Sequence, residues 1–333
     1  MQQTQIGILN HSVLDGEPKL IFERTPDIKL SNAPKIVFAI PVGPKSLERQ
    51  FQCDKDHGGC GAVWEDIATV SRPNMVPAAF MLSYHSLQMP LNVSSTYMVQ
   101  GGMLSSEARQ IMTKSAIRMG AKYIVYWDDD VLPPPDALYR MYNFMEKNPE
   151  VGITTSVCTT RVDPVEPVIY MAHGDGSSWE FECGPGAIPT PIMFGGAGFI
   201  IARVSAIVDA IEKLKVDNGG IELPIWADER LLTEYEGNTP GIKKRNIFWG
   251  HDVRFYRLIR EAGYHTVVHG AIICDHLDPT TNQTYTMPAD APGFKMVQER
   301  LQREKAEREG AQSPEGIQTQ DAALGLGART ASH

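Results

Sequence analysis

Three consecutive aspartates, Asp128 to Asp130, follow the apolar run Tyr-Ile-Val-Tyr-Trp and precede three prolines. Such a run predicts a buried strand, and a strand that ends in carboxylates places them at the carboxyl edge of an α/β sheet, where these folds bind ligands. If the backbone stays extended, Asp128 and Asp130 point the same way and Asp129 points the opposite way. Two carboxylates on one side favour a hard divalent cation, Mn2+ or Mg2+, that completes its shell with substrate phosphates. A solvated acidic turn is the alternative, but it does not explain the apolar run that precedes the aspartates.

The elements that must position these aspartates alternate along the chain. Apolar runs bounded by turn-forming residues predict strands at residues 35–42, 94–100, 122–127, 151–160, 191–203 and 266–274. Helical spacing of apolar residues predicts helices at 76–89, 105–119, 136–147, 204–215 and 251–262. Gly120 ends the second of these helices in the C-cap manner. This alternation predicts an α/β fold, Rossmann-like, with a mixed, mainly parallel sheet flanked by helices.

Composition and charge exclude few functional classes. Of the 333 residues, 42% are hydrophobic and 21% are charged, as in an ordinary soluble globular protein. The formal charge of -9 does not indicate a surface for nucleic acid or anionic membranes, although it does not exclude a local basic groove. No apolar segment is long enough for a membrane span, and the first residues lack the order of a secretory signal. We therefore expect a cytoplasmic protein.

Cysteines and aromatic residues each permit two interpretations. The five scattered cysteines do not indicate a disulfide framework. Cys53, His57 and Cys60 offer three zinc ligands, but no fourth ligand follows at finger-like spacing, and a loop is the alternative. Four aromatic residues could either form a platform that binds the acceptor or pack in the core. They are Trp179, Phe181, Trp226 and Trp249.

The segment Y-I-V-Y-W-D-D-D-V resembles the D-x-D strand of GT-A glycosyltransferases, in particular the family 2-like group. The resemblance implies a GT-A fold that binds a nucleotide-sugar, with UDP- or GDP-sugars as the expected donors. It also implies that Asp130 is a direct metal ligand and that Asp128 contacts the ribose or serves as a second ligand. Asp129 is expected to contribute to local structure or to donor contacts.

Two further segments match the same pattern in the same order along the chain. S-S-E-A-R-Q-I-M, at residues 105–112, resembles the helix start whose arginine, here Arg109, faces the donor diphosphate; a surface arginine paired with an acid is the alternative. F-G-G-A-G-F-I-I-A-R, at residues 194–203, resembles the glycine-rich strand before the acceptor region. Its small residues, Gly196 among them, would let the backbone approach a sugar, although glycines also mark bulges.

The segment W-G-H-D-V-R-F-Y-R-L-I-R-E-A-G-Y, at residues 249–264, resembles the E-D-x-D-F-x-x-R-x-x-x-x-G-Y stretch of the family. Asp252 matches the acid that serves as the catalytic base in inverting members. His251 stands where the family often has Glu, so its role does not follow from the resemblance. A carboxylate at a helix start is also favoured as a cap, and both roles are compatible.

Two shorter matches complete the expected site. Cys-Asp-His at residues 274–276 follows a predicted strand, and several GT-A enzymes carry a late histidine there as a further metal ligand, so His276 is the third candidate ligand, with Asp275 nearby. Pro41 and Gly43 end the first predicted strand, where such folds receive the nucleotide base. The alternative is that these two residues only form the turn after the strand, since turns need Pro and Gly in any case.

The combined expectation is a metal-dependent, inverting glycosyltransferase. Residues 1–34 form an N-terminal extension, residues 35–290 form one catalytic domain, and residues 291–333 form a charged helix and a disordered tail. Residues 35–162 are the donor-binding half of that domain and residues 163–290 are the acceptor half. A nucleotidyltransferase and a non-catalytic nucleotide-sugar-binding protein are the alternatives, and the acceptor is open between a glycan, a modified DNA base and others.

Overall fold

The computed structural model describes residues 5–9, 34–42, 51–53, 62–64, 76–101, 103–162, 164–171, 180–233 and 245–311. The helices within them are α1 (Ala78–Ser86), α2 (Ser105–Arg118), α3 (Ala137–Lys147), α4 (Val204–Asp217), α5 (His251–Glu261) and α6 (Pro292–Ala311). The strands in the first half are β1 (Gln5–Leu9), β2 (Ile36–Val42), β3 (Phe51–Cys53), β4 (Ala62–Trp64), β5 (Ser95–Gly101), β6 (Tyr123–Trp127), β7 (Val131–Leu132) and β8 (Val151–Val157). Those in the second half are β9 (Ile169–Tyr170), β10 (Thr190–Pro191), β11 (Phe194–Gly195), β12 (Phe199–Arg203), β13 (Glu229–Thr233), β14 (Arg245–Trp249), β15 (His265–Ile273), β16 (Asp275–Asp278) and β17 (Gln283–Tyr285).

The central sheet has eight strands in the order β1-β5-β2-β6-β12-β8-β15-β10. The pairings β1–β5, β5–β2, β2–β6 and β8–β15 are parallel, whereas β12 runs antiparallel to both of its neighbours and β10 runs antiparallel to β15. The predicted α/β class, with a mixed, mainly parallel sheet flanked by helices, is confirmed. β1 comes from the predicted N-terminal extension and pairs at the edge of this sheet.

The strand that leads to the three aspartates lies in the middle of the sheet and is buried throughout. The indole of Trp127, its last residue, lies against the rings of Phe80 and Phe199, with centroid separations of 4.8 and 5.4 Å. Its Nε1 donates a hydrogen bond to the carbonyl of Val131 at 2.8 Å. A buried indole that must find an acceptor therefore folds the chain back directly after the strand.

Several chain ends meet at one edge of the sheet because of the strand directions. β6 and β8 end there, and β12 begins there because it is antiparallel, with Phe199 opposite Trp127. β15 ends at the same edge, since its Ile273 pairs with Val157. β15 starts at the opposite edge of the sheet, where His265 pairs with Val151. Because α5 leads to that start, α5 itself begins at the edge where β6 ends. The edge thus collects segments that are far apart in the sequence.

Helix α2 follows β5 and places its first turns at the same edge. Its buried face includes Ala108, Met112 and Ala116, and Arg109 is buried beside them. Gly120 has a φ of 68°, a left-handed conformation that glycine adopts at no steric cost, and it ends the helix as the sequence predicts.

The glycine-rich stretch differs from its prediction as one strand over residues 191–203. It divides into β10, β11 and β12, because β11 turns aside to pair with β9. The amide of Gly196 donates to the carbonyl of Val168 at 2.9 Å, and a Cβ on Gly196 would lie 3.2 Å from the Val168 side chain. The absence of a side chain therefore permits this close approach of two backbones.

Some predictions fall outside the described residues or are met only in part. Gly43, Trp179, His57 and Cys60 lie outside them, so the structure does not bear on the zinc interpretation. Helix α6 lies within residues 291–333, for which a charged helix was expected. No helix among the described residues is long and apolar enough to cross a membrane.

Candidate functional site

The guanidinium of Arg109 joins two carboxylates that come from different parts of the chain. Its Nη2 donates to Oδ1 of Asp128 at 2.8 Å, and its Nη1 donates to Oδ1 of Asp252 at 2.8 Å. Asp128 follows β6 and Asp252 lies in the first turn of α5, so the contact links the middle of the sheet to a helix start. The two aspartates that the sequence assigned to the donor and acceptor sides therefore share one cation.

The exposures of these three side chains show how the cluster is oriented. The Arg109 side chain is only 3% exposed, whereas those of Asp128 and Asp252 are 20% and 30% exposed. The cation therefore lies behind the carboxylates, and the carboxylates face outward. Burial alone would lower the pKa of Arg109, but the charges of Asp128 and Asp252 outweigh it and raise that pKa, so the guanidinium stays charged.

Trp226 supports the guanidinium from one side. The Arg109 guanidinium carbon lies 5.2 Å from the centre of the indole, within the range of a cation–π contact. The indole stacks on Phe255 with a centroid separation of 4.1 Å, and its Nε1 donates to Oγ1 of Thr113 at 3.0 Å. Trp226 is buried, so the core-packing interpretation is the right one for this residue. Its position beneath Arg109 makes it part of the frame of the site.

One donor of the buried arginine is not satisfied. Among the described residues, Nε of Arg109 has no hydrogen-bond partner.

Asp252 is held in its ionised form by three groups. Besides the contact with Arg109, its Oδ2 accepts a hydrogen bond from the amide of Ala197 at 3.2 Å, and its Oδ1 lies 3.1 Å from Nε2 of His251. Burial alone would raise the pKa of Asp252, but the charges of Arg109 and His251 outweigh it and hold that pKa well below the ordinary range of an aspartate. Because Ala197 belongs to the predicted glycine-rich segment, two of the matched segments touch here.

His251 connects Asp252 to a further acid, Asp228. Oδ1 of Asp228 accepts a hydrogen bond from the His251 amide at 2.8 Å and lies 3.2 Å from the ring Nδ1. Burial alone would lower the pKa of His251, but Asp252 and Asp228 outweigh it and raise that pKa to about 9. The histidine that departs from the family pattern therefore joins two carboxylates.

Two contacts of the His251 ring Nε2 require different protonation states. Nη1 of Arg109 lies 2.7 Å from Nε2, a distance that suits an unprotonated nitrogen acting as the acceptor. A protonated ring would instead direct Nε2–H to Asp252. The carboxylates of Asp252 and Asp228 both face the ring and hold it in its protonated form, in which Nε2–H is directed to Asp252.

The three aspartates do not continue the strand. The amide of Asp128 donates to the carbonyl of Gly198 at 2.8 Å, and the amide of Val131 donates to the carbonyl of Asp128 at 3.1 Å, which closes a turn. The extended backbone that would align Asp128 with Asp130 is therefore not present. Asp128 reaches Arg109, while Asp130 reaches a separate group of residues.

Asp130 is buried near Arg161 and His276. Its Oδ2 lies 3.3 Å from Nη1 of Arg161 and 3.6 Å from Nε2 of His276. Nδ1 of His276 lies 2.7 Å from the carbonyl of Thr159, which suits an Nδ1–H donor and leaves Nε2 as the nitrogen that faces Asp130. The structure thus brings together Asp130 and His276, two of the three predicted metal ligands, and directs Asp128 elsewhere.

The donor set fits a divalent cation only in part. Among the described residues, no group of three or more His, Cys, Asp and Glu side chains is arranged to hold a metal ion. Burial alone would lower the pKa of His276, but Asp130 raises that pKa, so an ion would have to replace the ring proton. The deprotonated nitrogen and the carboxylate oxygen, 3.6 Å apart, are then ligands that one ion could share, if phosphate and water completed its shell. Asp130 and His276 are therefore the residues that could hold it.

The remaining predicted donor contacts lie at the same edge of the sheet or just inside it. Pro41 is buried in β2 and pairs with Gln100, and Asp129 is buried in the turn after β6. The carbonyl of Gly196 accepts a hydrogen bond from the Tyr256 hydroxyl at 3.3 Å. The geometry assigns none of these three residues a contact with a ligand, so their roles remain predictions.

Sequence reasoning missed the residues that complete the cluster. Arg161 directly follows a predicted strand, whereas Asp228 lies in a stretch for which no element was predicted, and their residue types carry no signal of their own. Gln110 was also missed, although its Oε1 accepts hydrogen bonds from the amides of Ile225 and Trp226 at 3.0 and 3.1 Å and so fixes the segment before Asp228. Its place beside Arg109 in the sequence was the one available clue.

Comparisons with known proteins add little to this geometry. No protein-family model and no curated protein matches the chain. Among solved structures, the chain is similar to A197 from STIV, with 12% identity and a TM-score of 0.38 over 77% of this chain and 96% of that one. It is also similar to residues 1–349 of S. aureus TarS (10% identity, TM-score 0.34, 71% of this chain and 58% of that one). A further similarity is to UTP-bound UGPase from Acinetobacter baumannii (12% identity, TM-score 0.31, 88% of this chain and 100% of that one). Similarity at this level carries no argument about chemistry.

Asp228→Asn should lower the pKa of His251 from about 9 toward the ordinary value of 6.5, because one of the two facing carboxylates loses its charge. A raised pKa means that protonated His251 stabilises the fold below about pH 6.5, and that this contribution is lost as the pH rises through about 9. The variant should therefore lose about 1 kcal/mol at about pH 6 and much less at about pH 10. An NMR titration of the imidazole and urea unfolding at both pH values test this, and an equal loss at both would contradict it.

Proposed function

We propose that this protein transfers a sugar from a nucleoside-diphosphate sugar to an acceptor hydroxyl, with inversion at the anomeric carbon. One observation carries the proposal: Asp128 and Asp252 meet at the carboxyl edge of the sheet through 2.8 Å contacts with Arg109. The D-x-D-like segment and the H-D segment both resemble segments of the family 2-like GT-A group. The resemblance requires these two segments to meet in one cluster. A solvated acidic turn unrelated to the family would not require it.

The reaction assigns Asp252 the role of general base. Its carboxylate is ionised and partly exposed, so it can take the proton of the acceptor hydroxyl while the oxygen forms the new bond to the anomeric carbon. The bond from that carbon to the diphosphate oxygen breaks, and its electron pair leaves with the nucleoside diphosphate. A strongly lowered pKa makes Asp252 a weak base in this resting arrangement. The negative charge of the bound donor would offset part of the positive charge of Arg109 and His251 and so raise the basicity of Asp252.

The donor would lie along the turn after β6. Asp128 is the partly exposed carboxylate of that turn and would bind the ribose hydroxyls. Arg109 lies behind it with both Nη atoms bound to carboxylates, so its charge would act on the departing diphosphate through space. Pro41, Asp129 and Gly196 line the same edge and stay proposed donor contacts, with a UDP- or GDP-sugar as the expected ligand.

A divalent cation, Mn2+ or Mg2+, would be held by Asp130 and His276 and would offset negative charge on the diphosphate. An imidazole ligand favours a transition metal over Mg2+, which prefers oxygen ligands, so we expect Mn2+ to bind more tightly. Arg161 already supplies a positive charge beside Asp130 at 3.3 Å, and the incoming ion would have to displace it.

Asp252→Asn should reduce transfer by about 10²- to 10⁴-fold, the usual contribution of a general base, while donor binding is kept. The measurement is release of nucleoside diphosphate in the presence of acceptor, together with calorimetric binding of the nucleotide-sugar. Asp217→Asn is the matched control, because Asp217 is exposed on α4 and paired only with Lys213 in the described contacts. Loss of donor binding in Asp252→Asn would remove this residue from the role of base.

His276→Gln should weaken Mn2+ binding about tenfold or more in the presence of a nucleoside diphosphate, because one of two protein ligands is lost. Titration of the free ion by electron paramagnetic resonance measures this without any turnover. His265→Gln is the matched control, since His265 begins β15 at the opposite edge of the sheet and is exposed. Equal Mn2+ affinity in the His276 variant and the wild type would exclude the proposed ligand.

A further inference from the structure

The cluster contains a cation whose geometry is not that of a ligand-binding arginine. The Arg109 side chain is 3% exposed, and its two Nη atoms are each 2.8 Å from a carboxylate that is itself 20% or 30% exposed. An arginine that binds a phosphate directly offers its N–H groups to the cavity. Here the two Nη groups donate to Asp128 and Asp252, and these two carboxylates are the more exposed members of the cluster.

We infer that Arg109 is a positioning residue that keeps the acceptor-side carboxylate Asp252 ionised and at a fixed separation from the donor-side carboxylate Asp128. This inference rests on the proposed function, which gives the two aspartates their roles. It replaces the direct phosphate contact expected for Arg109 with an action through the two acids.

The planar fork of the guanidinium explains why an arginine is needed at this position. Nη1 and Nη2 point in different directions from one rigid centre, so one side chain can hold two carboxylates at a defined spacing. Oδ2 of Asp252 is fixed separately by the amide of Ala197 at 3.2 Å, which leaves the carboxylate little freedom to rotate. A lysine has a single ammonium and cannot set the spacing in the same way.

The frame around Arg109 is built to hold it in place. The guanidinium lies over Trp226 at 5.2 Å, and the carbonyl of Ala197 lies 3.4 Å from Nη2. Its Nε has no hydrogen-bond partner among the described residues, so the contacts of the guanidinium are concentrated at the end that holds the acids.

Several charged and titratable groups share the surroundings of Asp252, and the test must separate their effects from that of Arg109. They are Arg109 on α2, Asp128 after β6, Asp228 before β13, and His251 and Tyr256 on α5.

The test compares Arg109→Met and Arg109→Lys with the wild type by carbon NMR of protein labelled at the aspartate carboxyl groups. Asp252→Asn identifies the Asp252 resonance. We expect Asp252 to titrate at least about one pH unit higher in Arg109→Met, since it loses its principal counter-charge, and to shift in the same direction in Arg109→Lys. In the lysine variant, kcat should also fall by about 100-fold, with its acid limb moved to higher pH.

The matched control is Arg203→Met. Arg203 is also a well-bonded arginine, but it lies at the opposite edge of the sheet, where it donates to the carbonyls of Met145, Asn148 and Val151 at 2.7, 3.1 and 3.2 Å. This variant should lose stability without any change in the titration of Asp252 or in the acid limb of kcat.

The possible outcomes separate the inference from the proposed function. If both Arg109 variants titrate like the wild type at Asp252 and lose only stability, as the Arg203 variant does, Arg109 is a structural residue and the inference is wrong. If Arg109→Met does not fold, Arg109→Lys decides by the same titration. If the titration shifts as expected but the wild type releases no nucleoside diphosphate from nucleotide-sugars, the control of Asp252 by Arg109 stands and the proposed function fails.

Discussion

The contact of one buried guanidinium with two outward-facing carboxylates is the constraint on which the rest of the site depends. Removing one partner of such a buried ion pair typically costs about 3–5 kcal/mol, because charge is left in the interior without compensation. Arg109 therefore fixes the start of α5 against the end of β6. The indole of Trp226 packs against Arg109, and the amide of Ala197 donates a hydrogen bond to Asp252.

Sheet topology is what makes the contact possible. β12 enters the sheet in the antiparallel direction between β6 and β8, so its glycine-rich leading segment arrives at the edge where β6 ends. The small residues there let the backbone pass close to Val168 and bring the Ala197 amide to Asp252. β15 ends at the same edge and is followed by β16, whose His276 lies 3.6 Å from Asp130. Strand direction thus brings four distant segments together.

Much of this architecture could be predicted from local sequence, but the contacts within the site could not. The apolar run before Asp128 and the helical spacing in α2 and α5 predict the elements within a residue or two. The tight turn after β6 depends on Trp127 Nε1 and on the carbonyl of Gly198 across the sheet, and neither is visible in the local pattern. Asp228 and Arg161 were missed for a related reason, since irregular segments have no periodicity from which their partners follow. The pairing of Arg109 with both acids needed the fold.

The central claim is that this edge of the sheet binds the diphosphate of an activated sugar together with a divalent ion. The most direct measurement is a thermal-shift screen of nucleoside diphosphates and nucleotide-sugars, each with and without Mn2+. We expect at least one uridine or guanosine diphosphate compound to raise the melting temperature, and Mn2+ to enlarge this effect beyond the sum of the separate shifts. If no nucleotide stabilises the protein under either condition, the cluster around Arg109 has another purpose and the account is contradicted.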